Sequence, residues 1–182
     1  MTKTKSVKYE ELEQYDGIDT EIMENLSRKY AFLVGKFLLN FSYLEHSLDI
    51  EIAELINNRT HDQGYLVIKN LTYSQKVDLL SSLSKPMVFY SDKNKRKKKE
   101  RLEYVNKNLK NIGKLRNNIA HANWFSLDED GYVRVKIKPD TESGLVKFER
   151  VKISEDTIKN GIKDMEKLMK KLSGLWEDLY QF

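Results

Sequence analysis

Apolar residues recur along much of the chain at the three-and-four spacing of an amphipathic helix. The longest such pattern consists of Ile22, Leu26, Tyr30, Leu33, Phe37, Phe41, Leu44, Leu48, Ile52 and Leu55. This spacing predicts either one very long helix or two helices in line, with Gly35 as the place for a bend. Because apolar residues between 30 and 44 lie on more than one face, we expect this segment to be the central helix of a bundle.

The region after the central helix predicts a loop and a shorter helix. Residues 57–64 combine asparagine, aspartate and glycine, which favours a loop. A helix is predicted from Ser74 to about Leu83, with Pro86 ending it because proline has no backbone donor.

Two more helices follow the same reasoning. One begins at about Lys97 and carries an apolar stripe that runs to Ile119. The last begins after Ser154, which is a favoured helix-capping residue, and its apolar face extends to Leu179.

Between these two helices the hydrophobic period changes from helical spacing to alternation. Residues 132–138 alternate apolar and basic side chains, and residues 145–151 form a second such run after a turn. This pattern predicts a β-hairpin over about 131–152 with one basic face. The predicted fold is therefore mainly α, a bundle of four to five helices with one hairpin inserted before the last helix. Residues 1–18 are predicted to be a polar leader, and 19–182 a single domain.

Composition narrows the class of protein further. The 182 residues are 40% hydrophobic and 33% charged, which excludes a disordered chain. No apolar run approaches the roughly 20 residues that span a bilayer, and the N-terminus lacks the apolar core of a signal peptide. The chain has no cysteine, so thiolate metal sites and disulfides are excluded. We expect a cytoplasmic protein without membrane contact.

A basic run between residues 93 and 99 makes an anionic partner plausible, although the formal net charge is only +4. The candidate RNA-binding residues in this run are Lys95, Arg96, Lys97, Lys98 and Lys99. The alternative is that the run is only a solvated connector or helix start.

The densest group of reactive side chains lies at the end of the stripe helix, from Arg116 to His121. Arg116 falls at the margin of the apolar stripe, where a guanidinium needs an anionic partner. The central helix has a carboxylate, Glu45, in its second apolar line, and we expect Glu45 to approach Arg116, either within a protomer or across a dimer. In the alternative interpretation both side chains extend to solvent, Asn117 and Asn118 end the helix, and His121 faces the helix dipole.

The motif Leu-Arg-Asn-Asn-Ile-Ala-His, with Arg116 and His121 in an R-x-x-x-x-H arrangement, resembles the HEPN superfamily of helical domains. Residues 41–45 of the central helix are similar to that group in a less distinctive way. The resemblance implies a metal-independent endoribonuclease that acts as a homodimer, typically a toxin or phage-defence (abortive-infection) effector. An antitoxin or other regulatory protein would then be a partner. Some members have lost catalysis, but the arginine, the following polar residue and the histidine are all present here.

The residue types agree with RNA cleavage by the substrate's own 2′-hydroxyl. That reaction needs a general base, a general acid and positive charge at the phosphate. We assign catalytic roles to Arg116, Asn117 and His121 and supporting roles to Glu45 and Asn118. On an ideal helix Arg116 and His121 are about 140° apart. Therefore either the helix ends before His121 or a second chain contributes to the site.

No cofactor or metal is predicted, because His46, His61 and His121 lack metal-ligand spacing. Two other functions stay open. One is a non-catalytic dimeric module that binds a partner protein or nucleotide through the same groove. The other is a nucleic-acid-binding regulator that uses the basic run.

Overall fold

The computed structural model describes residues 3–8, 20–91, 94–128, 130–141, 143–173 and 175. The helices in this part of the chain are α1 (Thr20–Ile56), α2 (Asp62–Ile68), α3 (Tyr73–Phe89), α4 (Lys95–Ala120) and α5 (Glu155–Leu172). The strands are β1 (Thr4–Lys8), β2 (Tyr132–Pro139) and β3 (Val146–Lys152). The predicted mainly helical class with strands before the last helix is confirmed, whereas the arrangement of the helices as a bundle stays a prediction. No helix in the described ranges is long and apolar enough to cross a membrane.

The chain divides into two compact units. The sheet unit contains Met1–Leu38 and Leu115–Gly161, and the helical unit contains Leu39–Lys114 and Ile162–Phe182. Helix α1 runs through both units without interruption, so the first of the two alternatives for this segment is the observed one. The space around Gly35 is open to a side chain, so no close packing requires glycine there. The predicted single domain over 19–182 stays a prediction.

The sheet unit contains an antiparallel sheet in the order β1-β3-β2. Strands β2 and β3 lie where alternation predicts them, but a bulge falls between Arg134 and Lys136. A bulge moves every later residue to the opposite face. Val133 is therefore buried, whereas Ile137 is exposed, which simple alternation did not predict.

Strand β1 is a third strand that the sequence pattern did not predict, and it falls within the predicted polar leader. Its sequence, TKSVK, has one apolar residue, Val7, which is buried and pairs with Phe148 of β3. A polar, lysine-rich segment of this length is typical of an edge strand, whose stability comes from its neighbour. Residues 9–19 of the predicted leader lie outside the described residues.

Two predictions in the helical unit are wrong. Helix α2 begins inside the predicted loop 57–64, and Gly64 within it lies against Ala53, where a Cβ would come within 2.4 Å of the Ala53 Cα. Glycine here permits close packing and does not mark a turn. Helix α3 continues through Pro86 to Phe89. Proline removes only its own donor, and the additional turn buries Val88.

The ends of α3 and α5 follow local capping rules. Thr72 accepts a hydrogen bond from the backbone N–H of Gln75, and the Gln75 side chain accepts one from the Thr72 N–H, which forms a capping box. As predicted, Ser154 caps α5, because its hydroxyl accepts a hydrogen bond of 3.2 Å from the Thr157 N–H. The buried face of α5 consists of Ile158, Ile162, Met165, Leu168 and Leu172. Leu179, the predicted end of that face, lies outside the described residues.

Candidate active site

The last turn of α4 brings the side chains of Arg116 and Asn117 into direct contact. The Nη1 atom of Arg116 donates a hydrogen bond of 3.2 Å to Oδ1 of Asn117. Arg116 is half-buried, and its Nε atom is shielded from solvent. Asn117 and His121 are exposed. The guanidinium is therefore held at the surface of the helix end with its neighbour's amide oxygen against it.

The backbone fixes how His121 relates to these two residues. The His121 N–H donates a helical hydrogen bond of 3.0 Å to the Asn117 carbonyl, although the helix itself ends at Ala120. Residues four apart with this bond lie one above the other on the same helix face. The helix thus ends just before His121, while this hydrogen bond keeps the His121 backbone N–H above Asn117. Both alternatives for bringing His121 to the side of Arg116, the helix end and a second chain, stay open.

The hydrogen bond between Arg116 and Asn117 reduces the effect of the angular separation between Arg116 and His121. The separation of about 140° applies to the directions in which the side chains leave the helix. The long arginine side chain spans part of that angle, because its guanidinium reaches Asn117, which shares a face with His121. A cation, an amide and an imidazole are thus arranged on neighbouring positions of one exposed helix end.

The segment after His121 is anchored by several contacts. The indole Nε1–H of Trp124 donates to the Ile119 carbonyl over 3.1 Å, which satisfies one of the free carbonyls at the helix end. The Trp124 ring lies 5.5 Å from the ring of Tyr30. The N–H of Asn123 donates to the Arg134 carbonyl over 2.8 Å, which joins the segment to β2. The helix end is therefore held by contacts to both α1 and the sheet.

A 3₁₀ turn over Trp124–Ser126 continues this anchoring. The Ser126 hydroxyl donates to the Asn123 carbonyl over 2.7 Å and accepts from the Arg134 N–H over 2.8 Å. The buried Arg150 donates to the carbonyls of Ser126 and Tyr132 and forms an ion pair with Asp128.

Arg150 is a structural residue that the sequence pattern did not single out. The available signal was its position in β3, two residues after Phe148 and so on the same face of the sheet. Since Phe148 is buried, a charged residue beside it needs partners.

Glu45, the predicted supporting residue, has a partner within the helical unit. Its Oε1 atom accepts a hydrogen bond of 3.1 Å from Lys76 Nζ, which also donates to Asp49 over 2.9 Å. Burial lowers the pKa of Lys76, but the hydrogen bonds from its ammonium to Asp49 and Glu45 outweigh burial and raise that pKa above its ordinary value. The approach of Glu45 to Arg116 stays a prediction. Asn118, the other supporting residue, is half-buried.

Tyr73 lies near this carboxylate and serves as a neutral donor. Its hydroxyl donates to the Leu109 carbonyl over 3.0 Å. Burial, followed by the charge of Glu45, raises the pKa of Tyr73 well above its ordinary value. Tyr73 therefore stays protonated at neutral pH and is a structural contact, not an acid or base.

The five candidate RNA-binding residues differ in accessibility, and all lie in the first turns of α4. Lys98 is buried and donates to the Ser91 hydroxyl over 2.8 Å. Lys95 donates to the Phe89 carbonyl over 2.8 Å. Two others pair along the helix, Arg96 with Glu100 and Lys99 with Glu103, and Lys97 is exposed. Lys98 is therefore the least available to a phosphate, and Lys93 lies outside the described residues.

No three histidine, aspartate or glutamate side chains in the described ranges are grouped so that they could hold a metal ion.

Comparison with known protein families, curated proteins and solved structures gives no match for this chain.

Proposed function

We propose that the protein is a metal-independent endoribonuclease that acts as a homodimer and cleaves RNA with Arg116, Asn117 and His121. The observation that carries the proposal is the contact between Arg116 and Asn117 on the helix face of the exposed His121. A role in bacterial defence or as a toxin follows from the resemblance of the motif to HEPN domains. One surface then offers Arg116 to bind phosphate, the Asn117 amide to contact the substrate and His121 to transfer a proton.

The proposed reaction begins with attack of the 2′-hydroxyl oxygen on the adjacent phosphorus. A base removes the hydroxyl proton, the bond from phosphorus to the 5′-oxygen breaks, and an acid protonates the leaving oxygen. The products are a 2′,3′-cyclic phosphate and a 5′-hydroxyl. His121 carries one proton transfer, because an imidazole can act as a general acid or a general base. A second His121, from the partner in a two-fold dimer, carries the other.

The two other side chains stabilise charge and orient the substrate. The Arg116 guanidinium has five donors in a planar fork and binds the non-bridging phosphate oxygens as negative charge develops. The Oδ1 atom of Asn117 accepts from Arg116, so the Nδ2 group of the same amide is directed to other acceptors. A phosphate oxygen or the 2′-oxygen is such an acceptor.

The test is RNA cleavage by the purified protein in the presence of a chelator. Wild-type protein should produce discrete fragments from total RNA, and His121→Ala and Arg116→Ala should each reduce the rate by about 100-fold or more. The matched controls are His61→Ala and Arg59→Ala, which remove the same residue types from the segment before α2 and should cleave normally. Circular dichroism establishes that each variant is folded. Cleavage that persists in both His121→Ala and Arg116→Ala would refute the proposal.

The same assay distinguishes the ribonuclease from the alternative function, a non-catalytic dimeric module that binds a partner protein or nucleotide. Wild-type protein of this kind leaves RNA intact at all concentrations. Sedimentation velocity tests the dimer separately, since a strictly monomeric protein that still cleaves RNA would contradict the two-histidine mechanism.

A further inference from the structure

A groove of about 360 Å³ lies where the end of α3 meets the first turns of α4, within the helical unit. Val88, Phe89 and Leu102 supply its apolar lining, and Lys85, Lys95 and Lys99 lie along it. This volume is in the range of pockets that hold small organic groups. The groove therefore combines an apolar interior with positively charged neighbours.

Phe89, which lines the groove, and its sequence neighbour Tyr90 are both exposed. Phe89 is 66% exposed and Tyr90 is 73% exposed, and their rings meet edge to face at 5.2 Å. Lys95 Nζ lies 4.6 Å from the centre of the Phe89 ring and donates to the Phe89 carbonyl. One hydrogen bond and one cation–π contact thus hold the Lys95 ammonium beside the exposed ring of Phe89. Exposed apolar residues scattered singly are ordinary, whereas here two exposed rings lie side by side next to a cation.

The electrostatic surroundings favour an anionic occupant. Lys85 and Lys95 are exposed, and the positive end of the α4 dipole adds to their charge. Lys99 is offset in part by Glu103, at 3.9 Å, and exposed Lys97 adds a further positive charge. The balance of charge around the groove is positive.

We propose that this groove, with Phe89 and Tyr90, binds an unpaired stretch of RNA. Proteins that bind single strands combine aromatic rings, on which bases stack, with cations that contact the phosphates. In a duplex the bases stack on one another, so their faces cannot reach Phe89. Asn106 also lines the groove, and its side-chain oxygen is shielded from solvent without a donor among the described residues.

The inference rests on the proposed function only for its relevance to cleavage, and it names unpaired RNA as the substrate class. Helix α4 carries the groove in its first turns and Arg116 in its last. The groove is therefore a binding site separate from the reacting phosphate. Changes in it should raise KM for a long unpaired substrate and leave kcat unchanged.

Binding is measured by fluorescence anisotropy with a labelled 2′-O-methyl RNA, which lacks the attacking hydroxyl and so cannot be cleaved by the proposed reaction. The same strand is tested alone and in a duplex. Phe89→Ala should weaken binding of the single strand about fivefold or more, because a stacked base is lost. Phe89→Trp should retain binding and Phe89→Leu should not, since leucine is apolar but cannot stack. Tyr43→Ala, which removes an exposed aromatic residue from α1, is the matched control.

Three results would overturn the inference: equal binding by Phe89→Ala and Tyr43→Ala, preference for the duplex, or full binding by Phe89→Leu. The last result, combined with binding of an acidic peptide that carries apolar residues, would assign the groove to a protein partner. The two proposals fail separately. If RNA binding depends on Phe89 but the wild-type protein does not cleave RNA, only the catalytic proposal is contradicted. If Phe89→Ala cleaves RNA with a normal KM, only the proposed binding groove is contradicted.

Discussion

Replacement of Lys76 by methionine should destabilise the protein by about 3 kcal/mol. The Lys76 side chain is 11% exposed and forms ion pairs with Glu45 and Asp49. The two carboxylates are four residues apart and so neighbour each other on α1. Loss of the ammonium removes the counter-charge that Lys76 supplies to both carboxylates. Methionine keeps most of the side-chain volume, so the cavity contribution is small.

The magnitude follows from the burial of the two acceptors. Removing one partner of a buried ion pair costs about 3–5 kcal/mol. The Asp49 side chain is 19% exposed and that of Glu45 is 33% exposed. Water therefore hydrates Glu45 in part after the substitution, which places the expected loss at the lower end of that range. Domains are typically stable by about 5–15 kcal/mol, so the loss is large enough to measure.

The same ion pairs predict a pH dependence. The pKa of folded Lys76 is raised above its ordinary value of 10.5. Stabilisation by a group with a raised pKa is complete below the unfolded value and is lost as the pH rises through the folded value. The difference in stability between wild type and Lys76→Met should therefore be constant between pH 7 and pH 9 and become smaller above pH 10.5.

Urea unfolding followed by far-UV circular dichroism measures this difference. Lys107→Met, on the exposed surface of α4, is the matched control and should change the free energy of unfolding by less than about 0.5 kcal/mol. Neutralising both acceptors together with Lys76 should recover most of the loss, because no uncompensated charge remains. A loss below about 1 kcal/mol for Lys76→Met, or one equal to that of the control, would refute the reasoning.

Three further changes test the contacts around the two units. Arg150→Met should lower the free energy of unfolding by about 3–5 kcal/mol in urea titrations, because it leaves Asp128 uncompensated; an unchanged midpoint would contradict the role of this ion pair. Gly64→Ala should lower the free energy of unfolding by about 1–3 kcal/mol, since the alanine Cβ overlaps Ala53. A raised melting temperature would contradict this prediction and show that the higher helix propensity of alanine dominates. Thr72→Ala should cost about 1 kcal/mol by loss of the capping box, and no shift in the melting temperature would contradict that reading.

The parts of the fold that were predicted correctly depend on local patterns. The α1 pattern of apolar residues extends from Ile22 to Leu55, about nine turns, and its helix is one uninterrupted element, the first of the two predicted alternatives. Ser154 caps α5 because capping involves only residues within one turn. Strand β1 was not predicted, since its single apolar residue gives no pattern and its stability comes from pairing with β3. Pro86 and Gly64 were misread because packing against other elements overrides local propensity.

The candidate site shows the same division between local and distant information. Arg116, Asn117 and His121 lie within six consecutive residues, so the sequence itself places them together. The partner of Glu45 is 31 residues away on another helix, and no periodicity indicates which lysine that is. The exposure of Phe89 and Tyr90 likewise depends on how α3 and α4 meet. A single helix therefore places the motif residues near one another, whereas their surroundings depend on contacts with other elements.

Replacement of Glu45 tests both the stability of the protein and the candidate site. Glu45→Gln should lower the free energy of unfolding because it weakens the contact with Lys76. If Glu45 also orients Arg116, the variant should cleave RNA more slowly at temperatures where it is fully folded. A normal cleavage rate in the folded variant would contradict the predicted approach of Glu45 to Arg116.

The chemistry of the cleaved ends tests the central proposal most directly. A short unpaired oligonucleotide that contains a mapped cleavage site is incubated with the wild-type protein in chelator, and its products are identified by mass spectrometry. Attack by the 2′-hydroxyl predicts a 2′,3′-cyclic phosphate and a 5′-hydroxyl, and a single 2′-deoxy nucleotide before the cleaved phosphate should abolish the reaction. Equal cleavage of the deoxy substrate, or products that carry a 5′-phosphate and a 3′-hydroxyl, would contradict the proposed mechanism.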